Sequence, residues 1–238
     1  MRVDMTKSQP VAFFDIDGTL FRSSLLIELV EGMIRAEVFP ATVREAYAAE
    51  YQAWQAREGT YEAYIGAVVR SFLVHLKGVH YGALADVGRQ VVAVQSKRVY
   101  RYTRDRITSL KQEGYFLVAI SQSPKTVLDD FCQQYGFDKV YGRMYEIGPS
   151  DCFTGTVIDE HLIENKANIV RRVFERHANL TAVGAYAFGD TEGDIPLLDA
   201  VAQPVCFNPN QRLYAHARRQ QWPVVVERKD VIYHIPYD

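Results

Sequence analysis

The chain opens with a polar stretch and then a short, wholly apolar run, Val11 to Phe14, which stops at Asp15. A run this short, partly β-branched and aromatic and ending in Asp-Ile-Asp-Gly-Thr, predicts a buried strand that enters a polar loop. From Ser24 to Arg106 the apolar positions change to helical spacing: Leu25, Leu26, Leu29 and Val30; Val43, Tyr47 and Tyr51; Tyr61, Tyr64, Ile65, Val68, Val69 and Phe72. That block predicts helices with little strand character. Its last helix is expected to run from about Ala83, through Val87, Val91 and Val94, to Glu113, with Gly114 as its stop.

Beyond Gly114, strands and helices alternate. Tyr115 to Ile120 reads as a strand ending at Ser121, and Pro124 stands where a first-turn proline opens a helix over Lys125 to Tyr135. Lys139 to Ile147 and Cys152 to Ile158 read as a hairpin around Gly148, Pro149, Ser150 and Asp151. A helix over Asn165 to His177 and a strand over Ala182 to Phe188 follow, then a short helix from Pro196 to Ala200. A strand from Pro204 to Phe207, a helix from Arg212 to Arg219 and an edge strand from Val224 to Val226 complete the pattern. The alternation predicts an α/β fold, a Rossmann-like doubly wound parallel sheet with an α-helical cap inserted after the first strand. The expected division is a core of residues 1–22 and 107–238 and a cap of residues 23–106.

Composition adds exclusions. With 238 residues, 48% of them hydrophobic and 24% charged, the chain has the make-up of an ordinary globular protein. Its 27 Lys plus Arg against 29 Asp plus Glu leave a net charge of -2 with no long run of one sign, so no nucleic-acid partner is expected. The first apolar stretch is interrupted at once by Asp15 and Asp17, and no stretch approaches the roughly 18 apolar residues of a transmembrane segment. Cys132, Cys152 and Cys206 are far apart and unpaired in spacing, which points to a reduced, cytoplasmic setting.

Candidate chemistry collects at strand ends, where ligands bind in open parallel sheets. There the sequence puts Asp15 and Asp17, Ser121 and Ser123, and Asp190 and Asp194. Asp15 and Asp17, one residue apart, project to the same side of an extended segment. Four carboxylates at one sheet edge repel unless a cation compensates, and magnesium suits a few carboxylates with water and phosphate oxygen in the other positions. Taken singly, Asp-Gly-Thr and Gly-Asp-Thr read as loops and caps, Ser121 as a turn residue and Lys166 as a solvated helix residue. Only their occurrence together points to chemistry. Tyr47, Tyr51, Tyr61 and Tyr64 lie at helical spacing, which suits packing or the lining of a substrate pocket. His75 and His80 lack metal-ligand spacing and read as ordinary surface or core residues.

Phe13-Phe14-Asp15-Ile16-Asp17-Gly18-Thr19-Leu20 resembles the first motif of the haloacid dehalogenase-like superfamily, and Gly189-Asp190-Thr191-Glu192-Gly193-Asp194 resembles the fourth. Ser121, after Leu117-Val118-Ala119-Ile120, is similar to the second motif and Lys166, opening a helix, to the third; the match covers about residues 11–208. The helical insertion between the first two motifs, and Phe153-Thr154-Gly155 before the lysine, resemble the phosphoserine phosphatase-like branch. The resemblance implies magnesium-dependent hydrolysis of a small phosphomonoester substrate, with Asp15 as a nucleophile forming an aspartyl-phosphate and Asp17 as general acid and base. Magnesium (Mg2+) would be held by Asp15, the main-chain carbonyl of Asp17 and Asp190, with Asp194 in support. Ser121 and Lys166 would hold the phosphoryl group, with Thr19 and Gln122 as further contacts. The acid at position 17 favours phosphoryl transfer over carbon–halogen cleavage. Leu20-Phe21-Arg22-Ser23-Ser24 holds no acid before Glu28, and Ser121-Gln122-Ser123 departs from the Ser-Gly-Gly form, so the resemblance points away from phosphoserine itself. Two alternatives stay open: transfer of the phosphoryl group to a second alcohol, and a catalytically silent binding protein. The second predicts a lost nucleophile or metal acid, and all of these are present.

Overall fold

The structure, a computed structural model, describes residues 8–236; residues 1–7 and 237–238, at the outer ends of the expected core segments, lie outside the described residues. The first strand, β1 (Gln9–Asp15), is buried on both faces. Ala12 and Phe14 point into one apolar core and Val11 and Phe13 into another, as the alternation of a pleated strand requires. Helices then follow before the second strand: α1 (Leu25–Arg35), a 3₁₀ segment over Ala41–Tyr47, α2 (Ala48–Gln55), α3 (Tyr61–Leu76) and α4 (Tyr81–Gln95). Leu29, Val68, Phe72, Leu84 and Val91 share the core that also holds Ala12 and Phe14, so the inserted helices and that face of the sheet bury one another.

The chain returns through α5 (Arg101–Gln112) to β2 (Phe116–Pro124), then α6 (Lys125–Gln134) and the hairpin of β3 (Lys139–Ile147) and β4 (Phe153–Ile158). Next come α7 (Glu160–Glu164), α8 (Lys166–Arg176), β5 (Leu180–Gly189), α9 (Ile195–Leu198), β6 (Gln203–Phe207), α10 (Gln211–Gln220), β7 (Val224–Arg228) and β8 (Val231–Ile235). They form one sheet in the order β4-β3-β2-β1-β5-β6-β7-β8. Strands β3 to β7 along that order run parallel, and β4 and β8 close the edges antiparallel. Helices α8, α9 and α10 bury Ile169, Val173, Leu197, Leu198 and Leu213 on the face opposite the insertion. The expected doubly wound sheet with a helical cap inserted after β1 is present. Its order reverses at β1, which has β2 on one side and β5 on the other, and such a reversal opens a crevice beyond the carboxyl ends of those strands.

Two expectations need correction. The single helix from Ala83 to Glu113 is two helices, because Ser96 to Tyr100 leaves α4 and recrosses beside the outgoing chain. There Val99 pairs antiparallel with Phe21, and the Arg22 and Tyr100 amides donate to the Arg98 and Leu20 carbonyls, each at 2.9 Å. These bonds take the place of the helical ladder. Nor is β7 the edge of the sheet: after a turn at Lys229 and Asp230, with Lys229 at φ 56°, β8 runs back along it. Among the described residues no helix is long and apolar enough to cross a membrane, and the three cysteines are free.

Phe14, the residue before Asp15, is fully buried, stacked on Phe188 at 4.3 Å between ring centroids and edge-on to Phe137. Phe14→Ala is expected to lower the free energy of unfolding by about 3–5 kcal/mol. Urea unfolding measures this, and a loss below about 1 kcal/mol would show that the stack contributes little.

Candidate active site

The carboxyl end of β1 delivers Asp15, and the turn behind it delivers Asp17. Gly18 makes that turn at φ 91°, and a Cβ there would lie 2.1 Å from Asp190 Oδ2. Glycine suits the turn by its backbone angle, and a side chain there would displace the Asp190 carboxylate. The Leu20 and Phe21 amides close the turn on the Ile16 carbonyl, at 2.9 and 2.8 Å. After β5, Thr191 and Asp194 form a capping box. Asp194 Oδ2 accepts from the Asp190 and Thr191 amides, both at 3.0 Å, which leaves Oδ1 for the centre of the site.

Lys166 is the first residue of α8, where Asn165 caps the helix by accepting from the Ala167 amide. Its Nζ donates to Asp15 Oδ1 at 2.6 Å and to Asp194 Oδ1. Burial works against the ammonium, but the Asp15 and Asp194 carboxylates override it and hold the Lys166 pKa above its ordinary value. Burial, opposed by Lys166 and reinforced by Asp194 and Asp17, pushes Asp15 up to about 7. Burial and the Asp15 and Asp194 charges likewise hold Asp190 well above the usual carboxylate range, although the Thr19 hydroxyl donates to it at 3.2 Å.

Asp17 is engaged on both oxygens. Oδ1 accepts from the Leu25 amide at 2.6 Å, in the first turn of α1, where the helix dipole favours a carboxylate. Oδ2 accepts from the Ser121 hydroxyl and, at 2.7 Å, from the Ser123 hydroxyl. Burial still raises the Asp17 pKa against these donors. Ser123, whose Oγ also accepts from the Leu26 amide at 3.0 Å, thus joins the core to the start of the insertion. A serine two residues after Ser121 was the sequence signal for this role. Thr19 is directed to Asp190, while Gln122 lines the cavity.

The acids suit a divalent cation. Asp15 Oδ2 is buried without a hydrogen-bond partner, and Asp15, Asp190 and Asp194 each offer an oxygen within 4.8 Å of the others. Hard anionic oxygens in such a cluster match a small divalent cation, which would also relieve their repulsion.

Asp15, Asp17, Lys166 and Asp190 face a cavity of about 300 Å³, roofed by Tyr61, Ile65 and Val69 of α3. Burial and the nearby Asp17 and Asp190 carboxylates push the Tyr61 hydroxyl well above its ordinary range. On the other side of Tyr61 lies a larger cavity of about 750 Å³, lined also by Tyr47, Tyr51, Trp54 and Tyr64. The tyrosines of the insertion therefore both pack and line a pocket: Trp54 and Tyr64 stack at 5.6 Å. His80 caps α4 by accepting from the Gly82 amide, and His75 bonds the Ser71 carbonyl; neither is near the acids.

Known proteins are similar to this chain over most of its length. A histidinol-phosphatase of Neisseria meningitidis is 26% identical over 90% of this chain and 97% of its own length. A phosphoserine phosphatase of Mycobacterium tuberculosis is 25% identical over 93% of this chain and 71% of its own. A solved structure of a phospho-aspartyl intermediate analogue of phosphoserine phosphatase superposes with a TM-score of 0.60 at 19% identity, over 94% of this chain and 96% of that one. The family model of the haloacid dehalogenase-like hydrolases matches residues 12–199, a span that begins in β1 and ends past Asp194, and the chain belongs to that family.

Proposed function

We propose that this enzyme is a magnesium-dependent phosphatase that hydrolyses a small phosphomonoester through an aspartyl-phosphate on Asp15. The observation that carries the reading is the Asp15 carboxylate itself. One oxygen is held by Lys166, the other is buried without a protein donor, and the group lies on the wall of a cavity. The phosphatase relatives support the same reaction class.

Asp15 attacks phosphorus, the bond from phosphorus to the leaving oxygen breaks, and the proton of Asp17 passes to that oxygen. Water then attacks phosphorus, Asp17 takes up its proton, the bond to Asp15 breaks and inorganic phosphate leaves. Burial raises the Asp17 pKa, which suits it to arrive protonated. As Ser121 turns from Asp17 to the phosphoryl oxygens, Asp17 Oδ2 keeps Ser123 as its one hydroxyl partner and gains room for the proton transfer. Lys166, already against Asp15, damps the repulsion between nucleophile and substrate. Asp15, Asp190 and the Asp17 carbonyl, with Asp194 in support, would hold magnesium, which would supply positive charge to let two anions approach. The cap, with Tyr61 over the acids, excludes bulk water and selects the leaving group.

Phosphate release from a panel of phosphomonoesters should require magnesium, and both EDTA and Asp15→Asn are expected to lower it by roughly a thousandfold or more. Release that survives either treatment would sink the mechanism. Asp17→Asn is expected to slow alkyl phosphates by roughly 10²–10⁴-fold and p-nitrophenyl phosphate, whose leaving group needs no proton, far less. Equal losses on the two classes would remove Asp17 as the general acid.

A further inference from the structure

Arg143 is a buried charge that the mechanism above leaves unused. It stands in β3 opposite Pro124 of β2 and is 7% exposed. Its Nε is buried with no hydrogen-bond partner, and its Nη2 lies 3.5 Å from Gln122 Oε1, at the outer limit of a hydrogen bond. No ion pair among the described residues includes it. A buried guanidinium with five donors and no counter-ion is costly, and among the described residues only the long Gln122 contact acts against that cost.

The cavity Arg143 lines is the one that holds Asp15, Lys166 and Asp190. In the order β3-β2-β1-β5 the arginine stands at one end, Asp190 at the other, and Asp15 between them. Three strand spacings separate the ends, roughly 14 Å. Glu62, the acidic cap residue of the cavity, has Glu192, Arg212 and Asp194 as its charged neighbours, so it belongs to the Asp190 end. The cavity is thus polarised, with metal-binding acids at one end, a lone guanidinium at the other and an apolar roof of Ile65 and Val69.

We propose that Arg143, oriented by Gln122, is an anion subsite for the leaving group, and that the substrates are phosphomonoesters whose alcohol carries a second anionic group, a carboxylate or a further phosphate. The inference rests on the phosphatase reading. A planar guanidinium takes either anion through paired N–H donors. Two strands away from Asp15, Arg143 leaves the transferring phosphoryl group to Lys166 and Ser121.

The test measures binding in an Asp15→Asn background, so that no ester is consumed. Calorimetry with magnesium present compares phosphoglycolate with ethyl phosphate, and propane-1,3-diol bisphosphate with propyl phosphate; the two pairs separate a carboxylate from a phosphate preference. Arg143-containing protein is expected to bind the anionic member of at least one pair about tenfold more tightly. Arg143→Gln should erase that preference, and Arg143→Lys, which keeps the charge and loses the fork, should keep only part of it. No preference with Arg143 present, or an equal loss for both members of a pair in both variants, would overturn the subsite. Phosphate release by the unsubstituted protein judges the phosphatase reading separately: an Arg143-dependent binding preference without release would sink that reading and leave the subsite standing.

Discussion

One buried ammonium, Lys166 Nζ, lies between Asp15 and Asp194, and the rest of the site depends on it. The three side chains come from β1, the loop after β5 and the first turn of α8, and each is almost wholly removed from water. The amino end of a helix is a poor place for a cation, since the helix dipole is positive there. Lys166 is stable at that position only because two carboxylates meet it, and they are tolerable there only because it meets them. Sheet register, the Gly18 turn and the Thr191–Asp194 capping box are therefore mutually required: displacing any one leaves an uncompensated charge.

The remaining imbalance is what makes the place useful. Asp190 and Asp17 add two further carboxylates that Lys166 cannot neutralise alone: burial raises both pKa values, and at Asp190 the Asp15 and Asp194 charges raise it further. Such a site has a standing demand for a cation. Asp17 carries a second burden. Its donors include the first amide of α1 and Ser123, which also takes the next amide, so the orientation of the Asp17 carboxylate is tied to the seat of the insertion's first helix.

Much of this was legible in the sequence, and for a physical reason. A strand buried on both faces must be apolar throughout, so Val11 to Phe14 and Leu117 to Ile120 advertise themselves, as does the run from Ala182 to Phe188 although Val183 is exposed, and the polar residue beyond each run marks the crevice. The break between α4 and α5 was hidden because Val99 and Tyr100 continue a helical apolar spacing, and only pairing with Phe21 and Arg22 makes the chain leave the helix. β8 was hidden because it is short and mostly solvent-facing, and its turn uses Lys229 at positive φ instead of glycine. Arg143 gave no signal at all, since an arginine among Tyr141, Met144 and Tyr145 reads as a strand residue until the sheet order carries it to the cavity that Asp15 lines.

The paired crossing at Phe21–Val99 has a consequence for chain entropy. The two ends of a long insertion sit side by side, one strand spacing apart or about 5 Å. Closing the insertion at this neck costs an entropy that grows only with the logarithm of the number of residues beyond it, about 0.6 kcal/mol for each doubling. Helices beyond α1, whose first amide holds Asp17, can therefore differ in length at a small cost in closure entropy, which leaves the roof freer to diverge than the floor.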